Sequence, residues 1–393
     1  MNILEITTLY PKNDNKERAT EFLHEYNKGL CKNHTVKVVF LSRKYPKIFK
    51  YVRRLPIIKK YTSAYSDKTH LKKDEIYLQG SIPVYEMPIN KFIPHGDFPK
   101  SEIKRCKKKV QAFLKEQNFT PDIVLLDFLC PSIFFEDIFD KNCKICAIPH
   151  HTDLSYCDKN KAYAEISSKL DAILYRSPMQ KKLFEAVGVT SDKSFIMISG
   201  VPSEVIENRI LDHKVKSFLT VCRFTKTKNI HSVIRSLSKL TDRDWTYTIV
   251  GQGEEREAIL QAIEEYGISD RCNLIDWLPK TEVYKLMVQS DCFIMPSIKE
   301  TFGMVYLEAM AKGCIAIGSK NEGCDGIIVN GENGFLADPN SLEDIENTIK
   351  LVMDMPVEEI ERVSKNAIDT AKMSTNEKLV ESIESFFCEI VEG

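Results

Sequence analysis

The sequence predicts an α/β protein built from two doubly wound, Rossmann-like domains. The first observation is the length of 393 residues, which exceeds one comfortable hydrophobic core. The second is an alternation of short apolar, β-rich segments with amphipathic, helix-like segments, which is typical of parallel sheets covered by helices. The third is a polar stretch at 200–216 that separates two such series. We expect the two domains to face each other across a cleft at the carboxyl ends of their strands, where ligands bind.

The predicted elements follow this alternation in order. Strands of the first series are expected at 3–7, 36–41, 122–127, 144–149, 172–175 and 195–199. Strands of the second series are expected at 217–222, 245–250, 272–275, 291–295 and 314–318. Amphipathic helices are predicted at 17–31, 102–116, 178–187, 254–266 and 376–391. The domains should therefore be 1–200 and 201–375, followed by a terminal helix within 376–393.

The net charge of −1 hides an uneven distribution. Residues 1–190 carry 33 Lys or Arg and 22 Asp or Glu, whereas residues 191–393 carry 22 and 34. We therefore expect the first half to face an anionic partner. The 12 cysteines have no regular spacing, and Cys143 and Cys146 lie in an apolar strand, so core packing in a reducing, cytoplasmic compartment is expected. We also expect no signal peptide and no membrane span, because no apolar run reaches ~18 residues.

The segment 296–313 carries the strongest functional signal. A buried strand leads into a loop with Glu300, and Gly303 precedes a helix that contains Glu308 and ends at Gly313. The first amides of a helix lack intrahelical partners and carry partial positive charge, so they can bind an anion. Side chains lean toward the start of their helix, which would let Glu308 face the same pocket as Glu300. Amides for phosphate and carboxylates for hydroxyl groups suit a sugar nucleotide.

The frame Glu300-Thr-Phe-Gly, Leu307-Glu308-Ala-Met-Ala and Gly313 resembles the signature of the retaining glycosyltransferases of family four, which have the GT-B fold. The resemblance is strong over 217–340 and loose over the first 200 residues. It implies that Glu300 binds hydroxyls of the donor sugar and Glu308 those of the ribose. It further implies that sugar or phosphate is anchored at four positions, Thr301, Phe302, Gly303 and Met304. No divalent metal and no other cofactor is expected. The first domain would bind the acceptor and the second the donor, with the terminal helix crossing back to the first.

Two further loops of the second half resemble motifs of this family. The stretch 221–229 resembles its Arg-to-Lys loop, in which Arg223 and Lys228 would bind the departing diphosphate through charge-assisted hydrogen bonds. Gly251 begins a Gly-x-Gly turn that would lie beside the donor. Because position 256 is Arg, the third glycine of a nicotinamide-dinucleotide fingerprint is missing, and that class is excluded. The alternative for Arg223 and Lys228 is ordinary surface charge.

The first half carries one candidate site residue at the end of a strand. The sequence Pro149-His150-His151-Thr152-Asp153 resembles the family's His-Gly-x-Asp turn, which places His150 over the donor sugar. A neutral imidazole there could donate to a sugar hydroxyl or accept the proton of the acceptor. The alternative for His150 is a packed polar cap at the end of a strand. The loop 11–18 lacks the paired glycines usual in this family, which leaves its contact with the donor open.

Residues 43–60 form a basic segment with eight Lys or Arg and no acidic residue. Ile48, Phe49, Val52 and Leu55 recur at helical spacing, and Lys50, Arg53 and Arg54 lie elsewhere around the turn. Such a segment is typical of reversible attachment to an anionic membrane. A clasp for a phosphorylated acceptor and a solvated basic face are the alternatives. Nucleic acid binding is not expected, because no interleaved aromatic residues accompany the charge.

The sequence thus predicts a metal-independent, retaining glycosyltransferase that moves a sugar from a nucleotide donor, with UDP favoured, to a hydroxyl of a glycan or lipid-linked acceptor. The expected setting is bacterial cell-envelope polysaccharide synthesis in the cytoplasm or on the inner face of the membrane. A glycoside hydrolase using Glu300 and Glu308, a nucleotide-sugar epimerase of the same fold, and a catalytically degenerate binding subunit are the alternatives. A hydrolase would have no need of Arg223, Lys228 or the helix start.

Overall fold

The computed structural model describes residues 1–11, 21–44, 74–91, 98–300 and 302–392. The chain forms two compact units. Unit 1 contains Met1–Tyr175, Leu183–Met197 and Val380–Gly393, and unit 2 contains Arg176–Lys182 and Ile198–Leu379.

In the part of the chain that the structure describes, unit 1 contains an eight-stranded sheet with the order β3-β4-β2-β1-β5-β6-β7-β8. All neighbouring pairs are parallel except β3 with β4. The strands are Asn2–Thr7 (β1), Thr35–Lys44 (β2), Glu75–Gln79 (β3), Ile82–Asn90 (β4), Ile123–Asp127 (β5), Lys144–Ile148 (β6), Ala172–Tyr175 (β7) and Lys193–Ile196 (β8). The order reverses between β1 and β5, so the carboxyl ends of these two strands border the position where doubly wound sheets bind ligands.

Helices cover this sheet because their apolar stripes pack on its two faces. In Lys100–Glu116, for example, Ile103, Cys106, Val110 and Phe113 are buried. The helices of the first half are Glu21–Leu30, Lys100–Glu116, Leu129–Ser132, His151–Cys157, Ala162–Ser167 and Pro178–Ala186, with a 3₁₀ turn at Ile133–Ile138. The last helix of the chain is Asn376–Glu392, and its Phe386 stacks on Phe195 of unit 1 with ring centroids 4.9 Å apart.

Unit 2 is built on a six-stranded, fully parallel sheet with the order β11-β10-β9-β12-β13-β14. The strands are Ser217–Val221 (β9), Thr246–Val250 (β10), Cys272–Ile275 (β11), Cys292–Ile294 (β12), Ile315–Ser319 (β13) and Phe335–Ala337 (β14). Along β12 the side chains alternate between two cores, with Cys292 and Ile294 in one and Phe293 in the other. A strand buried on both faces explains the continuous apolar run in the sequence.

The helices of unit 2 alternate with these strands. They are Ile230–Ser238, Arg256–Glu265, Lys280–Gln289, Met304–Ala311, Leu342–Asp354 and Val357–Met373, with 3₁₀ turns at Ser203–Val205 and Lys226–Lys228. The strand order reverses between β9 and β12, which makes the loops after these strands the expected ligand-binding edge.

The strands and helices predicted from the sequence all occur within a few residues of their expected positions in the described part of the chain, but three strands were not predicted. β3 and β4 were missed because Pro83 and Pro88 lie within β4, and proline argues against an inner strand since it has no N–H to donate. β14 has only three residues, too few for a recognisable pattern. No helix among the described residues is both long and apolar enough to cross a membrane.

Candidate functional site

The polar residues singled out in the second half lie on loops at one edge of the unit 2 sheet. The loop after β9 carries Arg223 and Lys228, and the loop after β12 carries Glu300. Because β9 and β12 are neighbours at the reversal of the strand order, their carboxyl ends bring these two loops side by side.

Lys228 and Glu300 form an ion pair between the two loops. The Lys228 ammonium donates to Glu300 Oε2 at 2.6 Å, and the side chains are 23% and 12% exposed. A charge-assisted hydrogen bond between partly buried groups is stronger than a surface pair. The structure therefore joins the predicted phosphate-binding lysine to the predicted sugar-binding glutamate.

Backbone contacts fix the two loops against each other. The Ile298 amide donates to the Thr227 carbonyl at 2.7 Å, and the Asn229 side-chain amide donates to the carbonyls of Pro296 at 3.1 Å and Pro339 at 2.8 Å. Asn229 has a left-handed backbone with φ of 56°, a conformation that asparagine tolerates better than most residues. Three hydrogen bonds therefore hold the backbone around the ion pair in place.

A second carboxylate holds the backbone of the Glu300 loop. The two oxygens of Glu322 accept hydrogen bonds from the amides of Lys299 at 2.9 Å and Glu300 at 2.7 Å. The Glu300 carbonyl in turn accepts from the Gly323 amide at 2.9 Å. Lys299 has a positive φ of 62°, which points consecutive amides toward one acceptor. Glu322 was not predicted from the sequence.

The helix Met304–Ala311 begins directly after this loop. Gly303 precedes it with φ of 75°, and a Cβ atom at this position would overlap the ring of Tyr306. Within the described part of the chain, the amides of Phe302, Gly303 and Met304 donate no hydrogen bond to another residue. They are therefore available to an anion, and their binding of phosphate or sugar stays a prediction. Thr301 lies outside the described residues.

Glu308 lies in this helix and is 9% exposed. Its Oε1 lies 2.8 Å from the Lys280 ammonium and accepts a longer hydrogen bond from the Tyr284 hydroxyl at 3.4 Å. Burial of the hydroxyl, reinforced by the Glu308 charge, raises the pKa of Tyr284 to about 12. The structure thus pairs each of the two predicted glutamates with its own lysine, and neither lysine–glutamate pairing was predicted.

Arg223 and Gly251 have contacts other than these two pairs. The Arg223 side chain is 76% exposed, and its guanidinium is 3.9 Å from the Glu254 carboxylate. Gly251 has φ of 150°, and a Cβ atom there would overlap the carbonyl oxygen of Cys222. Close packing of two backbones therefore explains this glycine without a ligand.

In unit 1, His150 lies at the carboxyl end of β6, just before the helix His151–Cys157. Its Nε2 donates to Asp127 Oδ1 at 2.8 Å, and its ring stacks on Phe128 with centroids 3.7 Å apart. Asp153 Oδ2 accepts from the His150 amide at 2.8 Å and from the Leu129 amide at 3.1 Å. With Nε2–H on Asp127, Nδ1 is the acceptor nitrogen of the ring.

Asp127 completes a polar cluster at the reversal point of the unit 1 sheet. It is fully buried at the end of β5, and its Oδ2 accepts from the Thr7 hydroxyl of β1 at 2.7 Å. Its two oxygens thereby join β1 to the His150 ring. The sequence signal for Asp127 is an acidic residue that ends an apolar strand, a pattern too common to indicate a functional residue.

The basic segment is described only at its beginning. Arg43 lies near the carboxyl end of β2 and donates to the Thr8 hydroxyl at 3.2 Å. Lys50, Arg53 and Arg54, and with them the predicted helix at 48–55, lie outside the described residues. Of the loop 11–18, only Pro11 is described.

Known proteins resemble this chain in sequence and in fold. Residues 203–370 match the family model "Glycosyl transferases group 1". The N-acetyl-alpha-D-glucosaminyl L-malate synthase of Bacillus anthracis is 28% identical over 183 residues, which cover 45% of this chain and 46% of that protein. The alignment thus spans less than half the length of this curated relative.

Two solved structures match the chain over nearly its whole length. The lipopolysaccharide outer core galactosyltransferase WaaB superposes with a TM-score of 0.71 at 19% identity, covering 99% of this chain and 100% of that one. HepE of Anabaena, solved with UDP and glucose, superposes with a TM-score of 0.66 at 15% identity, with the same two coverages. Residues 203–370 therefore resemble the group 1 glycosyltransferases, and the chain shares the GT-B fold of these solved structures.

Proposed function

We propose that the protein transfers a sugar from a UDP-sugar to a hydroxyl group of a glycan or lipid-linked acceptor, with retention of anomeric configuration and without a metal ion, in polysaccharide synthesis. The observation that carries the proposal is the Lys228–Glu300 pair, which lies beside a helix start whose first amides are unoccupied by described groups. UDP is favoured because HepE, which has the same fold, was solved with UDP and glucose.

The two lysine–glutamate pairs support a scheme in which different residues bind different parts of the donor. Lys228 would move from Glu300 to the diphosphate, whose negative charge grows as the bond to the sugar breaks. Glu300 would then accept hydrogen bonds from the donor sugar, and the amides of Phe302, Gly303 and Met304 would bind phosphate or sugar oxygens. Glu308 would accept from the ribose hydroxyls. Lysine and helix amides would together replace the charge that a divalent cation supplies in other transferases.

The contacts of His150 support a role in orienting a hydroxyl group of a substrate. Its Nε2–H is engaged by Asp127 at 2.8 Å, so the ring is held in one tautomer, and Phe128 fixes its plane. Nδ1 is then the acceptor nitrogen, and a substrate hydroxyl would share it with the Asp153 amide that the His150 side chain caps. In a front-face reaction the leaving phosphate takes the proton of the acceptor, and His150 orients the hydroxyl group.

The first experiment is a donor screen with purified protein. UDP- and GDP-sugars are tested for a thermal shift and for release of the nucleoside diphosphate, with candidate acceptors and with water alone. We expect a UDP-sugar to stabilise the protein, because a ligand that binds only the folded state raises its melting temperature. Release that requires an acceptor, with a glycoside product that retains the anomeric configuration of the donor, supports the transferase.

The alternatives predict other outcomes of the same screen. A glycoside hydrolase releases sugar from glycosides and ignores nucleotide sugars. An epimerase converts the donor with no acceptor and releases no glycoside. A binding subunit shows the thermal shift with no turnover on any acceptor, a result that would contradict the transferase proposal.

A further inference from the structure

Glu5 is a fully buried carboxyl group in the middle of the unit 1 sheet. It lies on β1 two residues before Thr7, so both side chains point to the same face of the sheet. Thr7 binds Asp127 on that face, and the helix Glu21–Leu30 covers Glu5 with Tyr26 and Asn27. In the described part of the chain no lysine or arginine pairs with Glu5, which is unusual for a buried acid.

Two acceptor atoms of the hydrogen-bond network around Glu5 have no donor within the described ranges of the chain, and one added proton would supply it. Glu5 Oε2 accepts from the Tyr26 hydroxyl at 2.8 Å and from the Asn27 side-chain amide. Glu5 Oε1 and Asn27 Oδ1 are both buried, and neither has a hydrogen-bond partner among the residues described. Each of these atoms can only accept when the carboxyl group is ionised. One proton on Oε1 would turn it into a donor and give both atoms a partner, which removes two buried unsatisfied acceptors at once.

We infer that Glu5 is a neutral carboxylic acid whose Oε1–H is donated to Asn27 Oδ1, and that it acts as a positioning residue for His150 by leaving Asp127 as the one negative charge of this cluster. The neutral state of Glu5 is independent of the proposed transferase reaction. Its importance for His150 in catalysis rests on that reaction.

The surroundings of Glu5 favour the neutral form. Burial, and then the nearby Asp127 charge, raise the pKa of Glu5 to about 8. Tyr26 on the covering helix and Tyr10 after β1 are also buried, and burial together with Glu5 raises the pKa of both phenols. On the neighbouring strand β2, the residue paired with Glu5 is the apolar Val38. No positive charge among the described groups therefore compensates a Glu5 carboxylate.

Ionisation of Glu5 would change the electrostatic environment of the His150 ring. At neutral pH, Asp127 alone faces the ring, at 2.8 Å from Nε2. Above about pH 8 a second negative charge would lie behind Asp127. This second charge would change the electrostatic field at the neutral ring, and with it the strength with which Nδ1 accepts a hydrogen bond.

The folded protein should also show a matching dependence of stability on pH. The pKa of Glu5 is about 8 in the folded state and 4.5 for an unperturbed glutamate. Between these values the folded state binds one proton more than the unfolded state. The contribution of Glu5 to the stability of the folded state is therefore fully present below pH 4.5 and is lost as pH rises to about 8. Over this range the unfolding equilibrium constant should rise by up to tenfold for each pH unit.

The test uses Glu5→Gln, since an amide at this position offers one donor and one acceptor, as the neutral acid does. Denaturant unfolding is measured from pH 5 to pH 8 for the wild type, for Glu5→Gln, and for Glu116→Gln, an exposed glutamate at the end of its helix. We expect the stability of the wild type and of Glu116→Gln to fall steeply, and to the same extent, as pH rises. The stability of Glu5→Gln should lack this steep fall. Identical pH dependence of stability in all three proteins would contradict the inference that Glu5 is a neutral acid.

A first spectroscopic measurement uses only the wild type, so it keeps the inference testable if Glu5→Gln folds poorly. Infrared difference spectra of the wild type should contain the carbonyl band of a protonated carboxyl group at pH 6.5 that disappears at pH 10. Absence of this band at pH 6.5 would mean that Glu5 is ionised, and the inference would be wrong.

The second measurement follows the His150 ring by NMR without any substrate, with the signal assigned by its loss in His150→Asn. In the wild type its ring resonance should shift as pH passes about 8, when Glu5 ionises, and this step should be missing in Glu5→Gln. The same step in both proteins would overturn the positioning role. Because no donor is present, failure of the proposed reaction would leave this result interpretable.

Discussion

Replacing Lys228 with Met tests the central pair most directly. The substitution keeps the aliphatic stem and removes the ammonium that donates to Glu300 at 2.6 Å. A hydrogen bond to a charged group contributes about 1.5–3 kcal/mol, and the 23% exposure of Lys228 reduces this through solvent screening. We therefore expect the free energy of unfolding of the empty protein to fall by about 1–2 kcal/mol.

The effect on reaction rate should be larger. If Lys228 binds the departing diphosphate, its loss removes a positive charge that acts mainly in the transition state. Removal of one such donor costs about 10²–10³ in kcat in other enzymes. The assay is release of UDP from the preferred donor, measured at saturating donor so that weaker binding does not obscure the change in kcat.

Lys226→Met is the matched control, because Lys226 lies in the same 3₁₀ turn but is exposed. It should change neither rate nor stability. A double-mutant cycle of Lys228→Met with Glu300→Gln should show coupling in the stability of the empty protein, since the pair is in direct contact. Equal UDP release by Lys228→Met and Lys226→Met would remove Lys228 from the site and refute this reasoning.

Three further outcomes are expected. Arg223→Ala should lower kcat by about 10²–10³ with little change in stability, because its exposed pair contributes ~0–1 kcal/mol; a near-normal rate would exclude Arg223 from donor binding. Gly251→Ala should destabilise unit 2 by about 2–4 kcal/mol in denaturant unfolding, because the new Cβ would overlap a backbone carbonyl; unchanged stability would contradict the close packing. The charge-reversed triple variant Lys50→Glu, Arg53→Glu, Arg54→Glu should no longer sediment with anionic vesicles, and equal sedimentation would assign the segment to the acceptor or to plain surface.

The local parts of the site could be predicted from the sequence. Gly303 and the apolar residues that follow it indicate a helix start, and the structure begins the helix at Met304. The strand before the loop and the glutamate within the helix were equally visible, because strand and helix patterns depend on residues close together in the chain.

The partners of these residues could not be predicted. Lys228 is 72 positions from Glu300, Glu322 is 22 positions from it, and Lys280 is 28 positions from Glu308. Which lysine meets which glutamate depends on the order of strands in the sheet, and one sequence does not contain that order. The chain has 55 Lys or Arg and 56 Asp or Glu, so charge alone leaves too many possible pairs.

The division of the chain into units has a practical consequence for anyone who wishes to express its halves separately. The polypeptide passes from one unit to the other after Tyr175, Lys182, Met197 and Leu379. A gene cut near codon 200 would deprive the amino-terminal fragment of the last 14 residues, including the partner of Phe195, and would deprive the carboxy-terminal fragment of 176–182. Co-expression of both fragments, or a permuted gene that starts within a surface loop, is the better route to a well-folded product.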